Sequence, residues 1–339
     1  MRLIFYYLQH KHADKYFDFL KTEGYFYLLK RMVETGIIDE VLIIIDSDKS
    51  ISPFKMHEGI VGQTVQGIMQ EPEGGFRSDD IIWVRGGWRS WHDFLVKKKE
   101  EGHKLLLYAA NSGRERWPFW DIIFDDINGK ESIDSLGRRS IDFRKPTNPD
   151  MFYPLKIERK YDFCIGASHI HDKKGQWRAI EVLIKYKELY GNNPKCIMPG
   201  SIKRGVKTNN ILRDIEASGI DVFIPGMLSR QEMLEVYNSS KVFVHMGSGG
   251  QGDRGVLEAM SCGCSVVIGS PNRHSPSAVK GSMVLNQYSV TANVFFYGKA
   301  LVESTEQKRD EILAYHKSAF GVENVILPSM KKLFKEIQT

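Results

Sequence analysis

The chain has 339 residues, 42% of them hydrophobic and 26% charged, the composition of a globular protein long enough for two domains. Its longest apolar runs, such as Val41-Leu-Ile-Ile-Ile45, are strand-sized, which excludes a membrane-spanning helix of about 20 apolar residues. The net charge of +5, from 47 basic and 42 acidic side chains, suits an anionic ligand, weak attraction to a membrane surface or to nucleic acid, or simply a solvated surface.

The start, Met1-Arg-Leu-Ile-Phe-Tyr-Tyr-Leu8, is a short apolar run without a small-residue cleavage site. It reads as a first buried strand and not a signal peptide, so a cytoplasmic location is expected. Cysteines at 164, 196, 262 and 264 lack the spacing of a zinc site and read as buried thiols in a reduced compartment.

Apolar strand-like runs alternate with amphipathic helical patterns, the signature of parallel α/β architecture. In the first half the strands are expected at Leu3–Tyr7, Val41–Ile45, Ile81–Val84, Lys104–Tyr108 and Ile122–Phe124. Between the first two, Tyr25, Leu28, Leu29 and Met32 recur at helical spacing and predict a helix over Gly24–Glu34, ended by Gly36. Three prolines within Lys145–Pro154 mark an interdomain linker. The expected domains are 1–150 and 151–314, with the last helix, about 315–339, packing back on the first.

The second half restarts with a strand, Tyr161–Gly166, and a helix, Gln176–Tyr190, closed by Gly191. Strands are then expected at Lys195–Met198, Asp221–Ile224, Val242–His245 and Ser265–Ile268. Ser229-Arg-Gln-Glu232 is a capping box opening a helix.

Three loops fall at the carboxyl ends of these strands, where open α/β sheets bind ligands. Ile170-His-Asp-Lys-Lys-Gly175 brings Lys173 or Lys174 to a helix start, where a lysine meets a diphosphate as a point charge. Gly226-Met227-Leu228 offers backbone groups and an apolar side chain to a nucleobase. The third is Ser248-Gly-Gly-Gln-Gly-Asp-Arg-Gly-Val-Leu-Glu258. Gly249, Gly250, Gly252 and Gly255 let backbone N–H groups approach an anion, and the helix that follows aims its positive end there. Glu258 lies one turn beyond Arg254, so both face one pocket.

Over roughly Tyr161–Pro271 the chain resembles the retaining nucleotide-sugar glycosyltransferases of the GT-B fold, the large family 4. The resemblance is carried there by Glu258-Ala-Met-Ser-Cys-Gly-Cys-Ser-Val-Val267, and before that stretch Pro146-Thr-Asn-Pro-Asp-Met-Phe-Tyr-Pro154 also looks like the family's hinge. It implies two Rossmann-like domains with parallel sheets facing a central cleft, a nucleoside-diphosphate sugar as donor and a glycan or other hydroxyl compound as acceptor. Glu258 would accept from the ribose hydroxyls, Lys174 would neutralise the diphosphate, and Gly226 and Met227 would hold the base. Gly249, Gly250, Gln251, Gly252, Gly255 and Val256 complete the expected donor site. Glu23-Gly-Tyr-Phe-Tyr-Leu-Leu-Lys30 looks like the glycine loop beside the acceptor, with Glu23 where a second glycine is usual.

Two departures stand out. Gly250 occupies the place of the family's sugar-gripping glutamate, for which Gln251 or Asp253 are substitutes. The family's arginine after the first strand of the second domain is also missing, and His169, His171 or Arg254 are candidates for its role. Lys174, Arg254 and Asp253 are the expected catalytic residues, with no metal or cofactor required, because a lysine, an arginine and a helix end meet the charge developing on the leaving phosphate.

For the acceptor, Gly24, Tyr25, Arg85, Trp88 and Asn111 are the candidates, the last three on the loops Arg85–His92 and Asn111–Trp117. His10 and His12 follow the first strand, and Asp46-Ser-Asp48 and Asp125-Asp126 end strands; core, surface and strand-end roles account for most such residues. Two other readings remain: base glucosylation of viral DNA, and a catalytically silent nucleotide-sugar binder, the latter motivated by Gly250.

Overall fold

A computed structural model describes residues 1–7, 13–45, 50–65, 75–85, 91–108, 119–125, 132–133, 139–166, 169–170, 175–202, 206–246, 254–268 and 308–338. The chain divides into two compact units, Met1–Asn148 with Val322–Thr339, and Pro149–Gly321. Among the described residues no helix is long and apolar enough to cross a membrane.

Unit 1 runs through β1 (Arg2–Tyr7), α1 (Ala13–Lys21), α2 (Gly24–Glu34), β2 (Glu40–Ile45), β3 (Phe54–His57), β4 (Ile60–Thr64), β5 (Ile81–Arg85), α3 (His92–Glu100), β6 (Lys104–Tyr108), β7 (Ile122–Asp125), β8 (Ser132–Ile133) and β9 (Arg139–Asp142). Among the described residues these strands form one sheet in the order β3-β4-β2-β1-β5-β6-β7-β9-β8. Pairing is parallel except at the margins, where β3 meets β4 and β8 meets β9 antiparallel. β1 and β2 are buried from their second residue onward, as strands covered on both faces must be.

The helix predicted over Gly24–Glu34 forms over those residues and buries Tyr25, Leu28, Leu29 and Met32. Gly36, at φ +68°, follows its end. The marginal strands β3, β4, β8 and β9 are not announced by the sequence. β3, β8 and β9 are only two to four residues long, and β4 is buried but ends in Gly62, Gln63 and Thr64, which break its apolar run. Gly59, at φ +68°, turns the chain between β3 and β4.

Unit 2 comprises β10 (Tyr161–Ile165), β11 (His169–Ile170), α4 (Gln176–Tyr190), β12 (Lys195–Ile197), β13 (Ser201–Ile202), α5 (Val206–Ser218), β14 (Asp221–Phe223), α6 (Arg230–Asn238), β15 (Ser240–His245), α7 (Arg254–Ser261), β16 (Ser265–Ile268) and α8 (Arg309–Phe320). Among the described residues five strands form a parallel sheet in the order β14-β12-β10-β15-β16. Alternate residues of β10 and β15 enter two apolar clusters, Cys164 and Phe243 in one and Phe163, Ile165, Val242 and Val244 in the other. The four cysteines are buried and free, and burial pushes the Cys264 thiol up to about 12.

The chain crosses back at Val322. After a wide turn over Val322–Ile326, α9 (Leu327–Gln338) puts Leu327, Met330, Leu333 and Phe334 into the cluster that holds β1 and α2. Arg31 and Tyr27 bind Glu323, and Arg139 binds Glu336 at 2.6 Å. Residues 315–320, expected with this returning segment, stay in α8 with unit 2.

Candidate functional site

In unit 2 the chain builds β10, β12 and β14 outward to one side, then returns to lay β15 and β16 on the other. The strand order therefore reverses between β10 and β15, and the crevice beyond their carboxyl ends is where a ligand binds in such a sheet. β10 is followed by Gly166, whose N–H donates to the Val244 carbonyl at 3.2 Å. A Cβ on Gly166 would lie 2.0 Å from the Phe243 ring, so only glycine lets the strand end pass that ring.

β15 leads through the glycine-rich loop into α7, whose N-terminus lies at the same edge because β15-α7-β16 is a parallel crossover. Arg254 and Gly255 are its first two residues. Glu258 follows one turn later with its side chain 12% exposed. Val256 does not present its side chain to a donor: it is 2% exposed and packs in the core with Leu257, Met260 and Phe243. That correction follows from helical geometry, since Val256 and Met260 share the inward stripe.

The C-terminal end of α7 is held by hydrogen bonds on its last carbonyls. Gly263, at φ +83°, closes the helix, and its N–H donates to the Met260 carbonyl at 2.9 Å. Arg159 donates to the Gly263 carbonyl, and Arg309 Nη2 donates to the Cys262 carbonyl at 3.0 Å. Two guanidinium groups thus meet the negative end of the helix.

The second predicted loop lies beyond β14. Gly226 is left-handed at φ +85°, and its carbonyl accepts from Gly200 N–H at 2.7 Å. Met227 is 55% exposed. The predicted capping box is present: Ser229 Oγ accepts from Glu232 N–H at 3.2 Å, and Glu232 Oε2 accepts from Ser229 N–H at 2.7 Å. Arg230, the first residue of α6, donates from Nη2 to Glu258 Oε1 at 2.9 Å, and its guanidinium lies 4.8 Å over the Phe152 ring. Met227 and Glu258 therefore belong to elements joined through one arginine. Lys173, Lys174, His171, Gly249, Gly250, Gln251, Gly252 and Asp253 lie outside the described residues. So does the side chain of His169.

Unit 1 repeats the topological reversal, between β1 and β5. The last residues of these strands, Tyr7 and Arg85, are register partners. Glu23, fully buried, accepts from Arg85 Nη1 at 2.9 Å and from the Tyr7 hydroxyl at 3.1 Å. The Arg85 guanidinium lies 4.3 Å from the ring centroids of both Tyr7 and Tyr25. Burial pushes the neighbouring Tyr16 hydroxyl well above the usual phenol range.

Two of the acceptor candidates, Gly24 and Tyr25, are buried at the start of α2. Tyr25 is 1% exposed and packs on Phe5, Trp83 and Tyr108, so it is a shelf under Arg85 and offers an acceptor no surface. Gly24 is required by packing, since a Cβ there would sit 1.9 Å from the Pro146 carbonyl oxygen. Gly24→Ala is expected to destabilise unit 1 by about 1–3 kcal/mol through overpacking. Urea unfolding followed by tryptophan fluorescence checks it, and an unchanged midpoint would refute the close approach. Trp88, Asn111, His10, His12, Asp46, Asp48 and Asp126 lie outside the described residues.

No protein-family model and no curated protein matches this chain. Solved structures do. A UDP-forming alpha,alpha-trehalose-phosphate synthase from Burkholderia xenovorans in complex with glucose-6-phosphate matches with a TM-score of 0.66 at 11% identity, covering 100% of each chain. A sucrose-phosphate synthase from Thermosynechococcus elongatus matches with a TM-score of 0.65 at 11% identity, over 99% of each chain. A trehalose-6-phosphate structure from E. coli, bound with UDP-2-fluoro glucose, gives 0.66 at 9% identity, over 100% of this chain and 99% of the other. The fold is GT-B. Within a GT-B chain, the crevice at β10 and β15 and the cluster at β1 and β5 are the two sheet edges where ligand chemistry belongs.

Residues that sequence reading missed are Arg230, Phe152 and the partnership of Glu23 with Arg85. The only local signal was Arg230 inside the capping box, a cation where a helix start disfavours one.

Proposed function

We propose that this chain is a glycosyltransferase that moves a sugar from a nucleoside-diphosphate sugar held by unit 2 to a hydroxyl acceptor, with retention of anomeric configuration. The observation that carries the reading is Glu258, held by Arg230 one turn inside α7, at the sheet reversal of a GT-B chain. Support comes from the structural neighbours, whose descriptions name UDP-2-fluoro glucose, glucose-6-phosphate and glycosyl transfer with retention.

In this reading Glu258 accepts from the ribose hydroxyls, and Gly226 and exposed Met227 hold the base. Lys174, Arg254 and the N-terminal amides of α7 meet the charge that grows on the leaving diphosphate, where preorganised donors lower the barrier most. Those groups make the transfer independent of metal. Gln251 or Asp253 takes over the sugar contact that Gly250 lacks. The departing phosphate oxygen receives the acceptor's proton. Unit 1 supplies acceptor contacts from its own reversal point, through Arg85 and the loops carrying Trp88 and Asn111. The protein works in the cytoplasm.

A thermal-shift screen across UDP-, GDP-, ADP- and TDP-sugars tests the donor class, since a ligand at one hundred times its Kd adds about 2.7 kcal/mol of apparent stability. One nucleoside series is expected to shift the midpoint, and Glu258→Ala and Lys174→Ala are each expected to weaken that shift and transfer at least about tenfold. No shift with any nucleotide sugar, or unchanged binding and transfer in both variants, would refute the reading. Heat of binding without turnover would mark a silent binder, the alternative that Gly250 favours.

A further inference from the structure

Arg230 stands where a helix does not want it. As the first residue of α6 it places a cation at the positive end of the helix dipole, beside the Ser229 capping box, and that opposes helix stability. Its guanidinium turns away from its own helix to a carboxylate 28 residues on, at 2.9 Å, and rests 4.8 Å over Phe152. Phe152, 2% exposed, is packed in the core against Tyr237. The arginine is thus fixed at three points: its backbone by the capping box, its charge by Glu258, its flat face by an aromatic ring.

Glu258 is in turn only 12% exposed, and Arg230 18%. A carboxylate that far from water keeps one direction when a charged donor holds it. The hinge segment that carries Phe152 also acquires a purpose here, as the floor on which the arginine lies.

Resting on the donor-site reading above, we infer that Arg230 is the positioning residue of the ribose contact. It holds the Glu258 carboxylate in one direction through the 2.9 Å contact, and couples it to the Gly226-Met227 loop just before α6. Base and ribose are then read by one preassembled unit, and the nucleoside is the part of the donor for which this chain is most selective. Arg230 acts through Glu258 and touches no reacting atom.

The test is ribose discrimination, measured by calorimetry with UDP and 2′,3′-dideoxy-UDP, repeated with the guanosine and adenosine pairs. The wild type is expected to bind the ribose form of one pair at least about tenfold more tightly. Arg230→Ala is expected to remove most of that preference by weakening the ribose form alone, leaving the dideoxy form within about twofold. Arg230→Lys, which keeps the charge but not the planar stack, should recover part of it. Equal weakening of both forms in Arg230→Ala would overturn the inference, because a merely structural arginine lowers affinity without regard to hydroxyls. Retained discrimination would overturn it as well. Failure of the wild type to bind any of the six nucleotides would instead overturn the donor-site reading itself.

Discussion

Glu23→Ala is expected to destabilise unit 1 by about 3–5 kcal/mol, because removing one partner of a buried ion pair strands the other. The Glu23 side chain is fully buried and that of Arg85 is 15% exposed. The carboxylate receives Arg85 at 2.9 Å and the Tyr7 hydroxyl at 3.1 Å. Without it, the guanidinium between the Tyr7 and Tyr25 rings loses the Glu23 carboxylate while still enclosed by two aromatic faces. Arg85→Ala should cost a similar amount, since it leaves an inaccessible carboxylate. Replacing both, as Glu23→Leu with Arg85→Met, should recover much of the loss, because the desolvation penalty disappears together with the attraction. Five of the six tryptophans, at 83, 88, 91, 117 and 120, lie in unit 1, so their fluorescence in urea reads this unit. A cost below about 1 kcal/mol for Glu23→Ala would mean that solvent screens the pair as it does at a surface.

That cluster shows which part of the protein was legible in the sequence. Glu23 is visible as a departure from the usual glycine, but its partner lies 62 residues away, on the far side of two crossovers. Nothing in local spacing relates them; only the register of β1 with β5 does. Arg230 and Glu258 are the same case, joined by the packing of α6 on α7. What periodicity does encode is the inward stripe of a helix, and Tyr25 fell to it: the spacing that predicted α2 already put Tyr25 with Leu28, Leu29 and Met32. Reading Tyr25 as an acceptor contact set a motif against that periodicity, and the packing followed the periodicity. Glycine placement was legible for the opposite reason. Gly36, Gly191 and Gly226 all take positive φ, a backbone requirement that shows in the residue type itself.

Unit 2 should lose stability as the pH falls from about 6.5 toward 4, and His316 is the cause. It sits on α8, is 8% exposed, has Phe320 beside it at 6.0 Å between ring centroids, and its Nε2 finds no hydrogen-bond partner among the described residues. Burial in these surroundings pushes its imidazole down to about 4 from an ordinary 6.5. In the unfolded chain the same ring takes up a proton near pH 6.5, so between those values the unfolded state binds a proton that the folded state refuses. Stability from this group is therefore complete above about pH 6.5 and drains away as the pH drops through the window. At about 1.4 kcal/mol per pH unit the loss reaches about 3 kcal/mol by pH 4. His316→Leu removes the titration and keeps the apolar contact, so its urea midpoint by circular dichroism should fall less steeply than wild type between pH 6.5 and 4. Parallel pH profiles for the two proteins would show that the imidazole reaches water and is not held neutral by the core.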